Sequence, residues 1–93
     1  MSPRITFRLP APLLAWVEGD SAVTASGVSA ATAIEDLVDR HPALRGLVLD
    51  EDGRLRERLA LFHKGDRLRG ARGFDRRLAT GDVLDLVPLM AGG

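Results

Sequence analysis

The stretch Leu78-Ala79-Thr80-Gly81-Asp82-Val83-Leu84-Asp85-Leu86-Val87-Pro88, continued by Leu89-Met90-Ala91-Gly92-Gly93, decides the fold. Gly81-Asp82 is a turn signal, and Val83–Val87 alternates with the period of a half-buried strand, Leu84 and Leu86 pointing inward. Pro88 has no N–H to give to a ladder, so pairing is expected to end there. The expected organisation is one domain over 1–88 and a flexible tail over 89–93.

Upstream of that strand, Ile5, Phe7 and Leu9 alternate with Thr6 and Arg8, giving a first strand that Pro10 and Pro12 end or place at an edge. Ala11–Asp20 lacks clean alternation. The expected arrangement is a long hairpin whose second strand is Ser21–Ser26, with Val23 inward. Ser29 is the expected N-cap of a helix in which Ala30, Ile34, Leu37, Val38 and His41 share a face. Pro42 stops that helix and suits the first turn of a short second one, with Leu44, Leu47 and Val48 on one side. Asp50-Glu51-Asp52-Gly53 is a turn. Arg58–Lys64 reads as a strand with Leu59, Leu61 and His63 on one face and Ala60 and Phe62 on the other. Apolar residues on both faces suggest a central, well-covered strand. Lys64-Gly65-Asp66 turns into a short strand at Arg67–Arg69, and Gly70–Thr80 is expected to be a loop pinned by Phe74 and Leu78. Strands on either side of a crossover helix predict an α+β fold with a mixed sheet.

Composition narrows the chemistry. With no cysteine there are no disulfides, thiolate metal sites or nucleophilic thiols. No apolar run approaches the length that spans a bilayer, and Met1-Ser2-Pro3-Arg4 leads straight into the first strand, so a cytoplasmic protein without membrane contact is expected. Net charge is zero, but residues 1–53 hold four basic against eight acidic residues, and the remainder nine against five. That asymmetry fits either a solvated Arg-rich surface or a docking face for an acidic partner. Nucleic-acid binding is not expected, because Arg67–Arg77 offers only Phe74 for stacking and the overall charge is nil.

Motifs with chemistry of their own fail on inspection. Gly65-x-x-x-x-Gly70 has phosphate-loop spacing, but Ala71-Arg72 stands where Lys and Ser/Thr are needed. In Asp50-x-Asp52-Gly53 the glycine comes too early for a calcium loop, and Leu61 stands where a bidentate Glu belongs. His41 and His63 are isolated from each other and from other ligands, so no metal site is expected. The serines lack a nearby base, and Glu35-Asp36 lies on an exposed helix face.

The tail remains. Six extended residues from Pro88 reach at most about 20 Å, far enough to enter a partner's active site while the domain stays outside. An enzyme that activates a terminal carboxylate as an acyl-adenylate must bring a backbone carbonyl up to a nucleotide phosphate, where a Cβ obstructs. Sulfur attack on that acyl group leaves a thiocarboxylate.

On Leu78-Ala79-Thr80-Gly81-Asp82 through Pro88, and on Gly92-Gly93, the chain resembles the MoaD/ThiS family of ubiquitin-like, β-grasp sulfur carriers. The resemblance covers nearly the whole chain and is weakest over Ala11–Asp20. It implies a carrier, not an enzyme: Gly93 is adenylated and then thiocarboxylated, and Gly92 supplies clearance. Leu89 and Met90 pack in the partner's channel, and Ala91 and Phe62 are further partner contacts. It also implies an adenylating sulfurtransferase of the ubiquitin-activating kind, which uses ATP, and a sulfur-accepting synthase, with no cofactor on the carrier. Where many members place Asn-Gly after the central strand, this chain has Lys64-Gly65. Ala22–Gly27 and the Pro-x-x-Ala-Gly-Gly ending look most like actinobacterial carriers that feed a cysteine synthase. The molybdopterin synthase small subunit, thiamine thiazole formation, a covalent modifier that attaches Gly93 to lysines, and a passive binding module stay open.

Overall fold

Alternating burial in the first strand and the last places the core on one side of a sheet. Ile5 and Phe7 are wholly buried while Arg4 and Arg8 are exposed, and Leu84 and Leu86 repeat the pattern against Val83 and Val87. The computed structural model describes residues 2–17 and 22–89. Within them the elements run β1 (Arg4–Arg8), α1 (Ala11–Leu14), β2 (Ala22–Ser26), α2 (Ala30–Arg40), a 3-10 turn (Pro42–Leu44) leading into α3 (Arg45–Val48), β3 (Leu59–His63), β4 (Asp66–Leu68), α4 (Gly70–Phe74) and β5 (Val83–Pro88). The five strands form one mixed sheet, β2-β1-β5-β3-β4. β1 and β5 are parallel and the other pairs antiparallel.

Helix α2 crosses one face of this sheet. Ser29 caps it as expected: its hydroxyl accepts the Thr32 N–H, and the Thr32 hydroxyl accepts the Ser29 N–H in return. Ala30, Ala33, Ile34, Leu37 and Val38 are its buried residues. They join Ile5, Phe7, Val23, Ala25, Leu61, Leu84 and Leu86 in one core cluster. Each fully buried aliphatic side chain there contributes about 1.5–3 kcal/mol. Gly27 is required where β2 passes under α2, since a Cβ there would lie 2.4 Å from the Ala33 nitrogen.

Several sequence expectations change. The β1–β2 connection contains α1, nucleated by Pro10, whose carbonyl accepts the N–H groups of Leu13 and Leu14. Of the expected second strand, Ser21 lies outside the described residues, and Val23 is buried as expected. His41 is the C-terminal cap of α2, not a member of its buried face, because its backbone has left the helical region at φ −129°. In the second helical stretch Leu44 and Val48 are buried, but Leu47 faces water and Leu49 takes its place in the core. β3 is an interior strand between β5 and β4, buried at Ala60 on one face and at Leu61 and His63 on the other, as expected, while β5 holds the middle of the sheet and Phe62 is only partly buried. β4 runs over Asp66–Leu68, one residue earlier than expected, with Leu68 inward. The expected loop 70–80 contains α4, although Phe74 and Leu78 pin it to the core as the sequence suggested. No helix among the described residues is long and apolar enough to cross a membrane.

Candidate functional site

Strand β5 is held at its start by a polar clamp. Thr80-Gly81 turns the chain with Gly81 at φ +95°, a conformation that a Cβ disfavours. The Asp82 carboxylate then accepts the Ala79 N–H at 3.0 Å and bonds His63 Nε2 at 2.9 Å. These bonds, the backbone one foremost, hold the Asp82 carboxyl below the usual carboxylate range. His63 is buried at the end of β3, and its Nδ1 has no hydrogen-bond partner among the described residues. The sequence placed His63 on the apolar face but gave no partner for it; Asp82 stands nineteen residues away and reaches it only through the β3–β5 pairing.

At its far end β5 runs out of the sheet. Pairing with β1 stops at Asp85, while pairing with β3 continues to Pro88 opposite Leu59. The strand ends at Pro88, as expected, with one further backbone bond beyond it. Leu89 N–H donates to the Arg58 carbonyl at 2.6 Å. Antiparallel ladders alternate bonded and non-bonded pairs, so the Pro88–Leu59 pair is a non-bonded one. The missing proline N–H faces the side that β1 has already left, where it costs no bond and gives another chain no donor. The expected site residues Met90, Ala91, Gly92 and Gly93 lie outside the described residues; Leu89, half-buried, is the last residue described.

Phe62 sits on the open sheet face. Across that face one row reads Arg67 on β4, Phe62 on β3, Asp85 on β5 and Arg8 on β1, each the Cα partner of the next. Arg8 Nε lies 3.5 Å from the Asp85 carboxylate. Val83 and Val87 flank Asp85 along β5, each with more than a third of its surface in water. The structure thus places Phe62 on β3 and Leu89 just past the end of the adjoining β5. It also adds Arg8, Arg67, Val83 and Val87, which sequence reasoning passed over. The only available signal was the odd-numbered alternation of β5, read there for its inward half alone.

A groove of about 590 Å³ on the helix side is lined by Ile34, Glu35, Leu49, Arg54, Leu55 and Phe74, among others. It holds none of the residues expected to act. The acidic turn is a turn, as expected: Asp50 Oδ1 accepts the N–H groups of Asp52 and Arg54.

With this geometry in view, the chain matches the model of the ThiS family over residues 8–93. No curated protein matches it. Among solved structures it is similar to SAMP1 from Haloferax volcanii, with 27% identity, 97% of this chain and 99% of that one covered, and a TM-score of 0.79. It is similar to a chain of the Amycolatopsis orientalis BexX/CysO complex, at 25% identity, 96% and 99% coverage and a TM-score of 0.81. The CysO of Mycobacterium tuberculosis, at 23% identity, 92% and 99% coverage and a TM-score of 0.80, bears on the fold alone. The fold is the ubiquitin-like β-grasp, α+β, that the sequence led us to expect.

Proposed function

The chain belongs to the ThiS family, and from that membership we propose that it is a sulfur carrier whose reactive group is the carboxyl of Gly93. The observation that carries this reading is the family match running through Gly93, on a chain whose last strand carries Leu89 to the end of the sheet, opposite Arg58.

In the proposed cycle, an adenylating enzyme joins the Gly93 carboxylate to the α-phosphate of ATP and releases pyrophosphate. Sulfide then displaces AMP and leaves a thiocarboxylate. That sulfur displaces a leaving group from the acceptor to form a thioester, and hydrolysis of the acyl–sulfur bond releases the acceptor as a thiol and returns the carboxylate. The carrier's own side chains supply none of these steps. The domain presents the tail, Gly92 lets it pass a narrow channel, and Leu89, Met90 and Ala91 occupy that channel. Phe62 contacts the partner on the open face. The likeness to a chain of the BexX/CysO complex supports the expectation of a partner enzyme. With the Pro-x-x-Ala-Gly-Gly ending, it also supports an acceptor of the cysteine-synthase kind ahead of molybdopterin synthase.

Intact-mass analysis of the protein with its adenylating enzyme, ATP and sulfide tests the proposal. The expected result is exchange of one oxygen for sulfur, mapped to the C-terminal peptide. An unchanged mass, under conditions where pyrophosphate release proves the enzyme active on another carrier, overturns it. The likeness to SAMP1, the small archaeal modifier protein 1, favours a second reading in which Gly93 forms an isopeptide with lysines of other proteins. Adducts carrying a Gly93 isopeptide would distinguish it.

A further inference from the structure

We infer that the free edge of β2 accepts an extended, basic segment of a partner protein as an added strand; this does not depend on the carrier reading. β2 ends the sheet and has a neighbour on one side only, β1. The Gly27 N–H donates to the Pro3 carbonyl at 3.1 Å, so by the alternation of an antiparallel ladder Val23 and Ala25 also turn their backbone groups toward β1. Ala22, Thr24 and Ser26 turn theirs outward. One of these groups is answered: the Asp36 carboxylate on α2 accepts the Ser26 N–H at 2.7 Å, as the carbonyl of a neighbouring strand would. The N–H and C=O of Ala22 and Thr24, and the Ser26 C=O, have no hydrogen-bond partner among the described residues. Such an edge is a template for another chain, and proteins guard edges with prolines, charges, bulges or brevity. β4, the opposite edge, is guarded: it has three residues, Asp66 and Arg67 among them. β2 has no such guard. It is uncharged, lacks proline and keeps unbroken register with β1 over all five residues.

Charge at one end of this edge selects the occupant. Beside Ser26 lies a pocket of about 280 Å³, lined by Ser26, Thr32, Glu35, Asp36 and Asp39, among others. Its three carboxylates share two arginines, Arg40 with Asp36 and Arg45 with Glu35 and Asp39, so negative charge is in excess. The Ser26 N–H, foremost, holds the Asp36 carboxyl below the usual carboxylate range and keeps it ionised. A lysine or arginine at the end of an added strand supplies the missing cation. Antiparallel pairing is the more stable arrangement, and it sets the N-terminal end of the added segment beside Ser26. The basic residue therefore precedes the strand, while main-chain bonds to Ala22, Thr24 and Ser26 hold the rest. A second copy of β2 fits poorly. Two-fold pairing about Thr24 calls on the Ser26 N–H that Asp36 already occupies. It also brings Glu18 and Asp20, which precede β2 in sequence, toward the acidic pocket.

The test titrates the ¹⁵N-labelled protein with a capped peptide of two lysines followed by alternating valine and threonine. The expected result is shifted resonances and slowed hydrogen exchange at the Ala22 and Thr24 amides, with exchange at Val23 and Ala25, already bonded to β1, unchanged. That alternation is a signature that a peptide adsorbed elsewhere does not produce. Replacing the two lysines of the peptide by glutamates should weaken binding about tenfold. Thr24→Pro removes an outward N–H at an edge, where proline is tolerated, and should abolish the response. If that variant does not fold, as circular dichroism would show, the exchange pattern of the wild type and the comparison of the two peptides decide. No response at millimolar peptide, shifts centred on α4, protection without the alternation, or equal affinity for the glutamate peptide overturns the inference. So does a concentration-dependent dimer that Thr24→Pro abolishes, because the occupant is then a second copy.

Discussion

Along β5, Leu84 and Leu86 are sealed in the core, while Val83 and Val87, one residue away on either side, keep over a third of their surface in water. The same five-strand sheet thus has one face buried under α2 and its neighbours and one with no helix over it among the described residues. Substitutions on the first face should act through stability and on the second through partners.

The largest effect separating the two faces should come from Leu84→Ala. Its side chain is fully buried, so truncation removes about 2–5 kcal/mol by lost transfer energy plus the cavity left behind. Urea unfolding followed by far-UV circular dichroism measures it. Next is Gly27→Ala, where the new methyl group meets the α2 backbone at Ala33. A backbone neighbour cannot swing aside, so a loss of about 1–3 kcal/mol is expected; a stability equal to wild type would mean α2 slides freely over β2.

A smaller effect attends the clamp at the start of β5. Replacing the carboxylate with Asp82→Asn should cost about 1–2 kcal/mol at neutral pH. Asp82 is held below its usual range by the Ala79 N–H and then by His63. A depressed folded-state pKa gives stability that is complete above the unfolded value, near 3.9. That stability is lost as pH falls through the folded-state value. The wild-type urea midpoint should therefore drop below about pH 4, and the variant's should drop less. Asp36, held low chiefly by the Ser26 N–H and also by Arg40, and Asp50, held low chiefly by the Arg54 N–H, add acid sensitivity that both proteins share. The smallest effect on folding should be Val87→Ser, within about 0.5 kcal/mol of wild type, yet it should weaken adenylation, measured as ATP–pyrophosphate exchange with the adenylating enzyme. A large drop in melting temperature would show that the open face is structural after all.

Much of this was legible in the residues. The Ser29 cap, the spacing of Ile34, Leu37 and Val38, and the alternation of Ile5 with Phe7 and of Leu84 with Leu86 are local signals, and the structure follows each of them. α1 was hidden because four residues are too short for a helical period to be read among Leu13, Leu14 and Trp16. α4 was hidden because a glycine at each of two helical positions, Gly70 and Gly73, reads as a loop. Leu47 was placed inward by a spacing that assumed a uniform helix, whereas a 3-10 turn precedes α3 and shifts the face. Of the expected site, Phe62 and Leu89 fall on adjoining strands at the open face and the end of β5.

What the sequence determined alone is the order of the five strands and of α2 and α3 among them, and a Gly-Gly ending behind a strand and a proline, since turn chemistry and side-chain period are written in neighbouring residues. The tertiary structure decided which strand lies in the middle, that His63 answers Asp82, and that Pro88 stays paired with its empty donor side turned away from β3. It also decided that Arg67, Phe62, Asp85 and Arg8 stand in one row. Those facts depend on register between strands distant in sequence, which no local pattern carries.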